Sequence, residues 1–340
     1  MNDLAIVVVS TNEAHWLEAC LDSVFAQAGD IDLDVVVADN ASTDGTARVV
    51  AGYSRARVVR CENRGFSHAN NRALMTCDAR YVLLLNPDTE VRDGTFAELL
   101  AEMDARPDVG FASVRQVLPD GTLFPTIRRF PSPLRALGEA LGAERLRLSG
   151  AVFGERELAP EPYERETDAD WLTGAFMLLR RESLWGAGLL DERFFMSSEE
   201  TDLCFRVKAA GWRVVHLPSM TIVHHAGKRG TNPRMDAQYA FARRLFARKH
   251  LPPASRAAYL AALVLRYGVR AVAPDRPGEV NGDGALRRES AKLSLQTLAG
   301  VKPPPFGAPP RAAVAPRAGV NAPAAPKPAR PAPPSAGPAR

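Results

Sequence analysis

The sequence contains few cysteines: only four among 340 residues, and no two of them form a C-x-x-C pair. They lie far apart, at Cys20, Cys61, Cys77 and Cys204. This spacing argues against a zinc site and against a disulfide framework, and it is typical of proteins from a reducing compartment. We therefore predict a cytoplasmic protein.

Two kinds of pattern that would indicate a membrane span or a common nucleotide site are also missing. No apolar stretch approaches the ~18 residues from which a membrane-spanning helix is recognised. The motif G-x-G-x-x-G does not follow the first predicted strand, and G-x-x-x-x-G-K-[ST] occurs nowhere. These absences disfavour a spanning helix and the ordinary dinucleotide-binding and P-loop folds.

Acidic residues are absent from the end of the chain. Residues 302–340 carry six Lys or Arg and no Asp or Glu, and residues 303–340 hold 13 of the 27 prolines. Such a sequence cannot bury enough apolar surface to fold, so we predict a disordered Ala/Pro-rich tail over residues 301–340. Because the formal net charge is +4 in total, the rest of the chain is slightly acidic, and we expect no nucleic-acid partner.

What the sequence does contain is an alternation of short apolar runs with segments of helical spacing. The predicted strands are Leu4–Val9, Leu33–Ala38, Arg57–Cys61, Tyr81–Asn86, Val109–Val114, Trp171–Arg180 (broken at Gly174), Trp212–Leu217 and Thr221–His225. The predicted helices are Ala14–Ala28, His68–Cys77, Asp93–Arg106 with Asp93 as N-cap, Glu199–Gly211, Gln238–His250 and Pro252–Val272. This order indicates an α/β fold with a mostly parallel central sheet.

Polar residues follow the central predicted strand. Pro87 cannot donate to a strand ladder, so the strand should end at Asn86 and leave Asp88 just past its carboxyl end. Because ligands of open α/β sheets bind at that edge, Asp88 is a candidate to hold a divalent metal ion against a diphosphate. The alternative is an Asx turn that ends the strand. Asp39 ends another strand and can accept the N3–H of uracil or thymine, or make a turn, whereas Asp44 is expected to cap the next helix.

Six motifs in order resemble those of the family 2 inverting glycosyltransferases, most closely the rhamnosyltransferase-like branch. They are Val37-Ala-Asp-Asn-Ala-Ser-Thr-Asp-Gly-Thr46, Glu62-Asn-Arg-Gly-Phe-Ser-His-Ala-Asn-Asn71, Leu83-Leu-Leu-Asn-Pro-Asp-Thr89, Trp171-Leu-Thr-Gly-Ala-Phe-Met177, Glu199-Glu-Thr-Asp-Leu-Cys-Phe-Arg206 and Val223-His-His-Ala-Gly227. The resemblance covers roughly residues 4–250. It implies a GT-A fold (the nucleotide-diphospho-sugar transferase sandwich), a nucleotide-sugar donor and a divalent metal ion, Mg²⁺ or Mn²⁺.

The resemblance also implies particular donor-side and metal-binding residues. The last carboxylate of the family's D-x-D-like motif touches the metal and corresponds to Asp88, while Asn86 replaces the first acid and supplies no charge. A histidine that completes the metal site in some relatives corresponds to His224, although a structural histidine is the alternative. The remaining residues that we assign to the donor are Ser10, Asn12, Asp39 and Gly65, and Gly65 would let the backbone approach the donor.

On the acceptor side the resemblance implicates the start of the predicted helix at Glu199. The second acid of the pair, Glu200, is the expected general base, with Glu199 as the alternative base because Glu is longer than the Asp of many relatives. A structural alternative is a capping box between Ser197 and Glu200. The residues assigned to the acceptor are Trp171, which stacks on a sugar or fills the core, Gly174, Ala175 and Asp202, which can also pair with Arg206.

These assignments predict how the chain is divided. Residues 1–115 form the donor-binding half, 116–250 the acceptor-binding and catalytic half of the same domain, and 251–300 a helical segment. The expected reaction moves a sugar, with L-rhamnose from dTDP-rhamnose preferred, to a surface polysaccharide or lipid-linked glycan. Alternatives are a UDP-sugar donor or a non-catalytic binding relative. The basic C-terminal helices either pack on the catalytic domain or contact the inner face of the plasma membrane.

Overall fold

The computed structural model describes residues 1–143, 150, 152–225, 232–273 and 283–307. The strands are β1 (Asn2–Ser10), β2 (Leu33–Asn40), β3 (Ala56–Cys61), β4 (Ala79–Leu85), β5 (Thr89–Asp93), β6 (Val109–Val117), β7 (Ile127–Arg128), β8 (Thr167–Asp168), β9 (Trp171–Leu172), β10 (Phe176–Arg180) and β11 (Arg213–His224). The helices are α1 (Ala14–Ala26), α2 (Thr46–Ala51), α3 (Phe66–Leu74), α4 (Phe96–Asp104), α5 (Pro133–Leu141), α6 (Arg181–Ala187), α7 (Glu199–Ala209), α8 (Pro233–His250), α9 (Pro253–Val272) and α10 (Asp283–Ala299). Most of the predicted tail, from residue 308 on, lies outside the described residues.

The main sheet has the strand order β3-β2-β1-β4-β10-β6-β11-β5, and β8 pairs with β11. Strands β1 to β4 are parallel, as the alternation with helices predicted. Strand β10 runs antiparallel between β4 and β6, and β5 pairs antiparallel with β11. The carboxyl ends of β1, β2, β3 and β4 therefore share one edge, which is where polar residues follow the apolar runs.

Both faces of the sheet are buried, which explains why the strands read as continuous apolar runs. Successive side chains of a strand point to opposite faces. In β1, Leu4 and Ile6 belong to one core cluster and Ala5 and Val7 to the other. The first cluster also contains side chains from α1 and α4, and the second contains side chains from α3 and α7.

The C-terminal helices α8 and α9 are joined to α5 by a buried cation. Arg243 of α8 is 2% exposed, and its guanidinium donates to Glu139 of α5 at 2.7 Å and to Glu155 at 3.0 Å. It also donates to the hydroxyl of Tyr259 on α9 at 2.7 Å. Because a buried charge is costly unless it is paired, these contacts fix α5, α8 and α9 relative to one another.

Several predicted elements differ from the structure. The helix expected from Asp93 begins at Phe96, because Thr95 is the N-cap and forms a capping box with Glu98. Residues Thr89–Asp93 form strand β5, and helix α5 lies between Val114 and Trp171, where no helix was predicted. The two strands expected around Thr221 are one strand, β11, whose register shifts between Leu217 and Thr221.

Candidate active site

A polar cleft lies at the carboxyl ends of β2 and β3. Its volume is about 350 Å³, and it is lined by Asp39, Ala41, Ser42, Thr43, Asp44, Ala47, Arg60 and Cys61. The Oδ1 atom of Asp39 accepts a hydrogen bond from the Ser42 amide at 2.9 Å, so Asp39 makes a turn and also lines the cleft. The cleft combines a carboxylate with the Arg60 cation at the edge of the sheet where ligands bind.

Polar residues of the neighbouring loops support this cleft. Asn12, which has a φ of +58°, accepts a hydrogen bond from the Thr43 amide at 2.7 Å. The hydroxyl of Ser10 is fully buried and lies 3.2 Å from that of Thr46. The Thr46 hydroxyl donates to Asp44 and lowers the pKa of that carboxyl. Asp44 thus has a structural role at the start of α2, and Ser10 and Asn12 hold the loop instead of presenting side chains to the cleft.

Gly65 lies against the segment that precedes α7, with no room for a side chain. Its φ is +101°, and a Cβ atom there would lie 2.3 Å from the carbonyl oxygen of Phe195. The Phe66 amide donates to the same carbonyl at 2.7 Å. The close approach of the segment before α7 is therefore sufficient to require glycine at this position, and the predicted approach of a donor stays a prediction. The contact joins the loop after β3 to the segment that carries the two glutamates.

Asp88 and His224 meet where β4 and β11 end. Both side chains are largely buried, and His224 Nε2 lies 3.6 Å from Asp88 Oδ1. This distance is too long for a direct hydrogen bond. The His225 amide donates to the Asp88 carbonyl at 2.8 Å and holds the two strand ends together. The structure therefore brings together the two residues that were predicted as metal ligands.

The chemistry of this pair fits a divalent cation that takes further ligands from a bound substrate. Carboxylate oxygens suit Mg²⁺ and Mn²⁺, and imidazole is a common metal ligand. The Nδ1 atom of His224 is buried without a hydrogen-bond partner among the described residues. Within the same residues, no cluster of three His, Cys, Asp or Glu could hold a metal ion by itself. Asp88 and His224 can thus supply two ligands, and diphosphate oxygens would supply others.

The N-terminus of α7 carries Glu199 and Glu200 without a side-chain cap. Ser197 and Ser198 adopt left-handed backbone conformations, with φ values of +70° and +63°. An N-cap residue normally has an extended backbone, and no side chain caps this helix. The capping box proposed as the structural alternative for Glu200 therefore does not form.

The two glutamates at the start of α7 have unusual electrostatics. Each has a buried Oε2 atom without a hydrogen-bond partner among the described residues. Burial raises the pKa of Glu200 to about 7. Burial and, next, the neighbouring Glu200 raise the pKa of Glu199 well above its ordinary value. A carboxyl group that titrates near neutral pH is suited to accept a proton from a hydroxyl, which favours Glu200 as the base.

The segment around Gly174 connects the metal-ligand pair to the glutamates. The Asn86 amide donates to the Ala175 carbonyl at 3.0 Å, and a Cβ atom on Gly174 would lie 3.8 Å from the Cβ of Glu200. Trp171 is only 7% exposed, and its indole N–H donates to the Arg129 carbonyl at 2.9 Å. Gly174 and Ala175 therefore lie at the candidate site, whereas Trp171 fills the core.

Residues 5–185, more than half of the chain, match the family model described as Glycosyl transferase family 2. The chain belongs to glycosyl transferase family 2. The N-acetylglucosaminyl-diphospho-decaprenol L-rhamnosyltransferase of Mycobacterium tuberculosis is 32% identical over 244 residues, which cover 68% of this chain and 78% of the relative. Rhamnosyltransferase WbbL of Escherichia coli is 23% identical over 230 residues, covering 65% and 83%. The predicted assignment as a glycosyltransferase is confirmed.

The fold of this family 2 glycosyltransferase resembles that of solved members of the GT-A class. The mannosyltransferase PcManGT from Pyrobaculum calidifontis, solved with GDP-Man and Mn²⁺, superposes with a TM-score of 0.54. The two chains are 18% identical, and the superposition covers 88% of each. The GT-A fold predicted from the sequence motifs is thereby confirmed.

Asp202 of the glycosyltransferase lies in α7 and forms ion pairs with α7 itself and with the end of α8. It is fully buried, and its carboxylate contacts Arg206 at 2.8 Å, His250 at 2.7 Å and Lys249 at 2.6 Å. Burial alone would raise the pKa of Asp202, but these partners lower it below its ordinary value. The predicted pair with Arg206 is present, and it belongs to an ion-pair network that ties α7 to the end of α8. The acceptor role of Asp202 stays a prediction.

Arg128 is a residue of this glycosyltransferase site that the sequence did not reveal. Strand β7 pairs with β9, so Arg128 lies opposite Trp171 with its guanidinium carbon 5.6 Å from the ring centroid. Its Nε atom is buried without a hydrogen-bond partner among the described residues. The charge of Arg128 opposes the rise in the pKa of Glu200. A two-residue strand has no periodic signal by which Arg128 could have been found.

Proposed function

We propose that this glycosyltransferase moves an L-rhamnosyl group from dTDP-L-rhamnose to a hydroxyl group of a lipid-linked glycan, with inversion at the anomeric carbon. The Mycobacterium tuberculosis relative supports this acceptor class, because its name specifies a sugar joined through diphosphate to decaprenol. The observation that carries the proposal is the hydrogen bond from Asn86 to Ala175. It connects the Asp88 end of β4 to the segment beside Glu200.

The proposed reaction is a single displacement. Glu200 accepts the proton of the acceptor hydroxyl while the hydroxyl oxygen bonds to the anomeric carbon. The bond from that carbon to the donor phosphate oxygen breaks, and its electron pair leaves with the nucleoside diphosphate. Asp88 and His224 would hold Mg²⁺ or Mn²⁺, and such an ion stabilises the charge of the departing diphosphate. Because Asn86 adds no charge, ion binding should depend strongly on the diphosphate itself.

We assign the nucleoside of the donor to the cleft at β2 and β3. Asp39 lines this cleft and can accept the N3–H of a pyrimidine base, while Arg60 brings a positive charge to the same wall. The N3–H is shared by thymine and uracil, so a UDP-sugar is the alternative donor. A panel of dTDP- and UDP-sugars separates the two.

We also propose that the reaction takes place at the cytoplasmic face of the plasma membrane. The four cysteines are free thiols, in keeping with a reducing compartment. A polyprenol-linked acceptor would keep the reaction at a lipid surface. None of the helices in the described ranges is long and apolar enough to cross a membrane, so we expect a peripheral contact.

The test is transfer from a panel of nucleotide sugars to a polyprenyl-diphosphate-linked sugar, with Mn²⁺, with Mg²⁺ and with EDTA. We expect turnover with dTDP-L-rhamnose and a cation, and NMR of the product should show the inverted anomeric configuration. Donor binding without turnover of any sugar would favour a non-catalytic relative and would contradict the proposal.

Glutamate variants test which residue is the base. Glu200→Gln should reduce transfer by at least about a thousandfold, within the range attributed to general base catalysis, while donor affinity stays near that of the wild type. Glu161→Gln, at an exposed acid of the 3-10 turn Glu161–Glu164, is the matched control and should behave as the wild type. If Glu199→Gln is inactive and Glu200→Gln is active, the assignment of the base is wrong.

A further inference from the structure

Helix α9 exposes an apolar stripe where a surface helix normally presents polar residues. Except for Pro253 and Arg270, its exposed residues are all aliphatic, and six of them recur with helical spacing: Ala257, Ala261, Val264, Leu265, Val269 and Val272. The exposed fractions of the last four are 49%, 43%, 48% and 81%. We call these six residues the α9 stripe. Scattered apolar residues are normal on a protein surface, but a continuous row along one helix marks a contact surface.

The opposite face of α9 already has its packing partners. Tyr259, Leu263 and Tyr267 are buried in the core cluster that α9 shares with α5, α8 and α10. Arg266 pairs with Glu139 of α5 at 2.8 Å. Packing against α5, α8 and α10 therefore accounts for one face of α9. It does not explain the exposed α9 stripe.

We propose that the α9 stripe is the surface by which this enzyme docks on an anionic lipid membrane. Helix α9 contains no Asp or Glu, and of its three arginines Arg266 is paired with Glu139 whereas Arg270 is exposed, so the helix contributes positive charge at its surface. The chain after residue 301 adds six Lys or Arg and again no acid. Aliphatic contact area combined with positive charge is the composition of helices that lie in the interface of anionic membranes.

The position of α9 relative to the candidate site agrees with docking through the α9 stripe. The helix begins at Pro253, three residues after His250, and His250 contacts Asp202 of α7 at 2.7 Å. Asp202 is two residues from Glu200 on the same helix. Docking through α9 would thus bring the helix that carries the base close to the lipid surface. This orientation rests on the proposed function, because it matters only if the acceptor is lipid-linked.

The test is co-sedimentation of the full chain with phosphatidylglycerol/phosphatidylcholine vesicles. We expect the wild type to bind, and the double variant Leu265→Ser/Val269→Ser to bind at least tenfold more weakly without any change in net charge. Met75→Ser is the matched control, because Met75 is 69% exposed at the end of α3, away from the stripe. The control should bind as the wild type does, and all three proteins should keep the same thermal transition.

Two results would overturn the proposal. One is equal vesicle binding by the wild type and the double variant. The other is a wild type that does not bind vesicles but sediments as a dimer, with the double variant monomeric, which would make the stripe an interface between copies. Sugar transfer to a detergent-dispersed acceptor tests the proposed function separately. Vesicle binding without transfer contradicts the proposed function alone, and transfer without vesicle binding contradicts the docking surface alone.

Discussion

The raised pKa of Glu200 predicts that the candidate base lowers the stability of the fold. In the unfolded chain the carboxyl group ionises above a pH of about 4.5, but in the folded protein only above about 7. Ionisation therefore opposes folding, and this cost is absent at low pH and complete once the pH exceeds both values. Glu200→Gln removes the ionisable group and should increase the free energy of unfolding at alkaline pH.

The expected magnitude follows from the two pKa values. Their difference corresponds to about 3 kcal/mol of free energy of unfolding. Because Glu200 is only half-buried as a whole residue, although its Oε2 atom is buried, solvent screening brings the expected gain to about 2 kcal/mol at a pH of about 8.5. For a domain of this size that is an increase of roughly 4–8 °C in the midpoint of thermal unfolding. At a pH of about 5.5 the gain should shrink to less than half.

The assay is thermal and denaturant unfolding, followed by circular dichroism, of the wild type, Glu200→Gln and Glu161→Gln at both pH values. Glu161→Gln should match the wild type throughout, because Glu161 is exposed. A Glu200→Gln variant that is less stable than the wild type at alkaline pH, or whose gain does not depend on pH, would refute the assignment of a buried, destabilising carboxylate.

Three further predictions concern other residues of the site. Asp88→Asn should abolish Mn²⁺-dependent donor binding measured by calorimetry, and His224→Ala should weaken it; metal-dependent binding that survives both changes would contradict the ligand pair. Arg128→Met removes a charge that favours ionised Glu200, so the acid limb of the pH–rate profile should move to higher pH. Arg128→Lys keeps the charge and should retain the wild-type limb. An acid limb that does not move in the Met variant would show that Arg128 has only a packing role. Gly65→Ala places a Cβ atom 2.3 Å from the Phe195 carbonyl oxygen, so it should cost at least about 2 kcal/mol in urea unfolding, and a wild-type midpoint would disprove the close approach.

The parts of the fold that could be predicted from the sequence are those in which local pattern and burial agree. The runs in β1, β2 and β4 are apolar because both faces of the sheet are covered, and β4 ends at Leu85, one residue before the end at Asn86 that Pro87 predicted. Strand β5 could not be predicted. Its sequence, TEVRD, is short and charged, and only pairing with β11 makes it a strand.

The residues of the candidate site likewise include some that the sequence could suggest and some that it could not. Asp39, Asp88, Glu200 and Gly174 could be proposed from the sequence because they belong to motifs that follow strands or begin a helix. Local sequence patterns could not reveal contacts with residues that are far away in the chain. Gly65 is fixed by Phe195, which is 130 residues away in the sequence. The capping box failed because two consecutive serines adopt left-handed conformations that no pattern indicates.

The contacts of Asp202 have a consequence for where this enzyme can be divided. The family match ends at residue 185, before α7 begins at Glu199, and the buried carboxylate of Asp202 has two of its three partners at the end of α8. A fragment cut at the border of the match would lack the proposed base, and one cut before α8 would leave Asp202 with only Arg206 of its three ion-pair partners. The part of the chain that must fold as a whole is therefore longer than the segment that matches the family model.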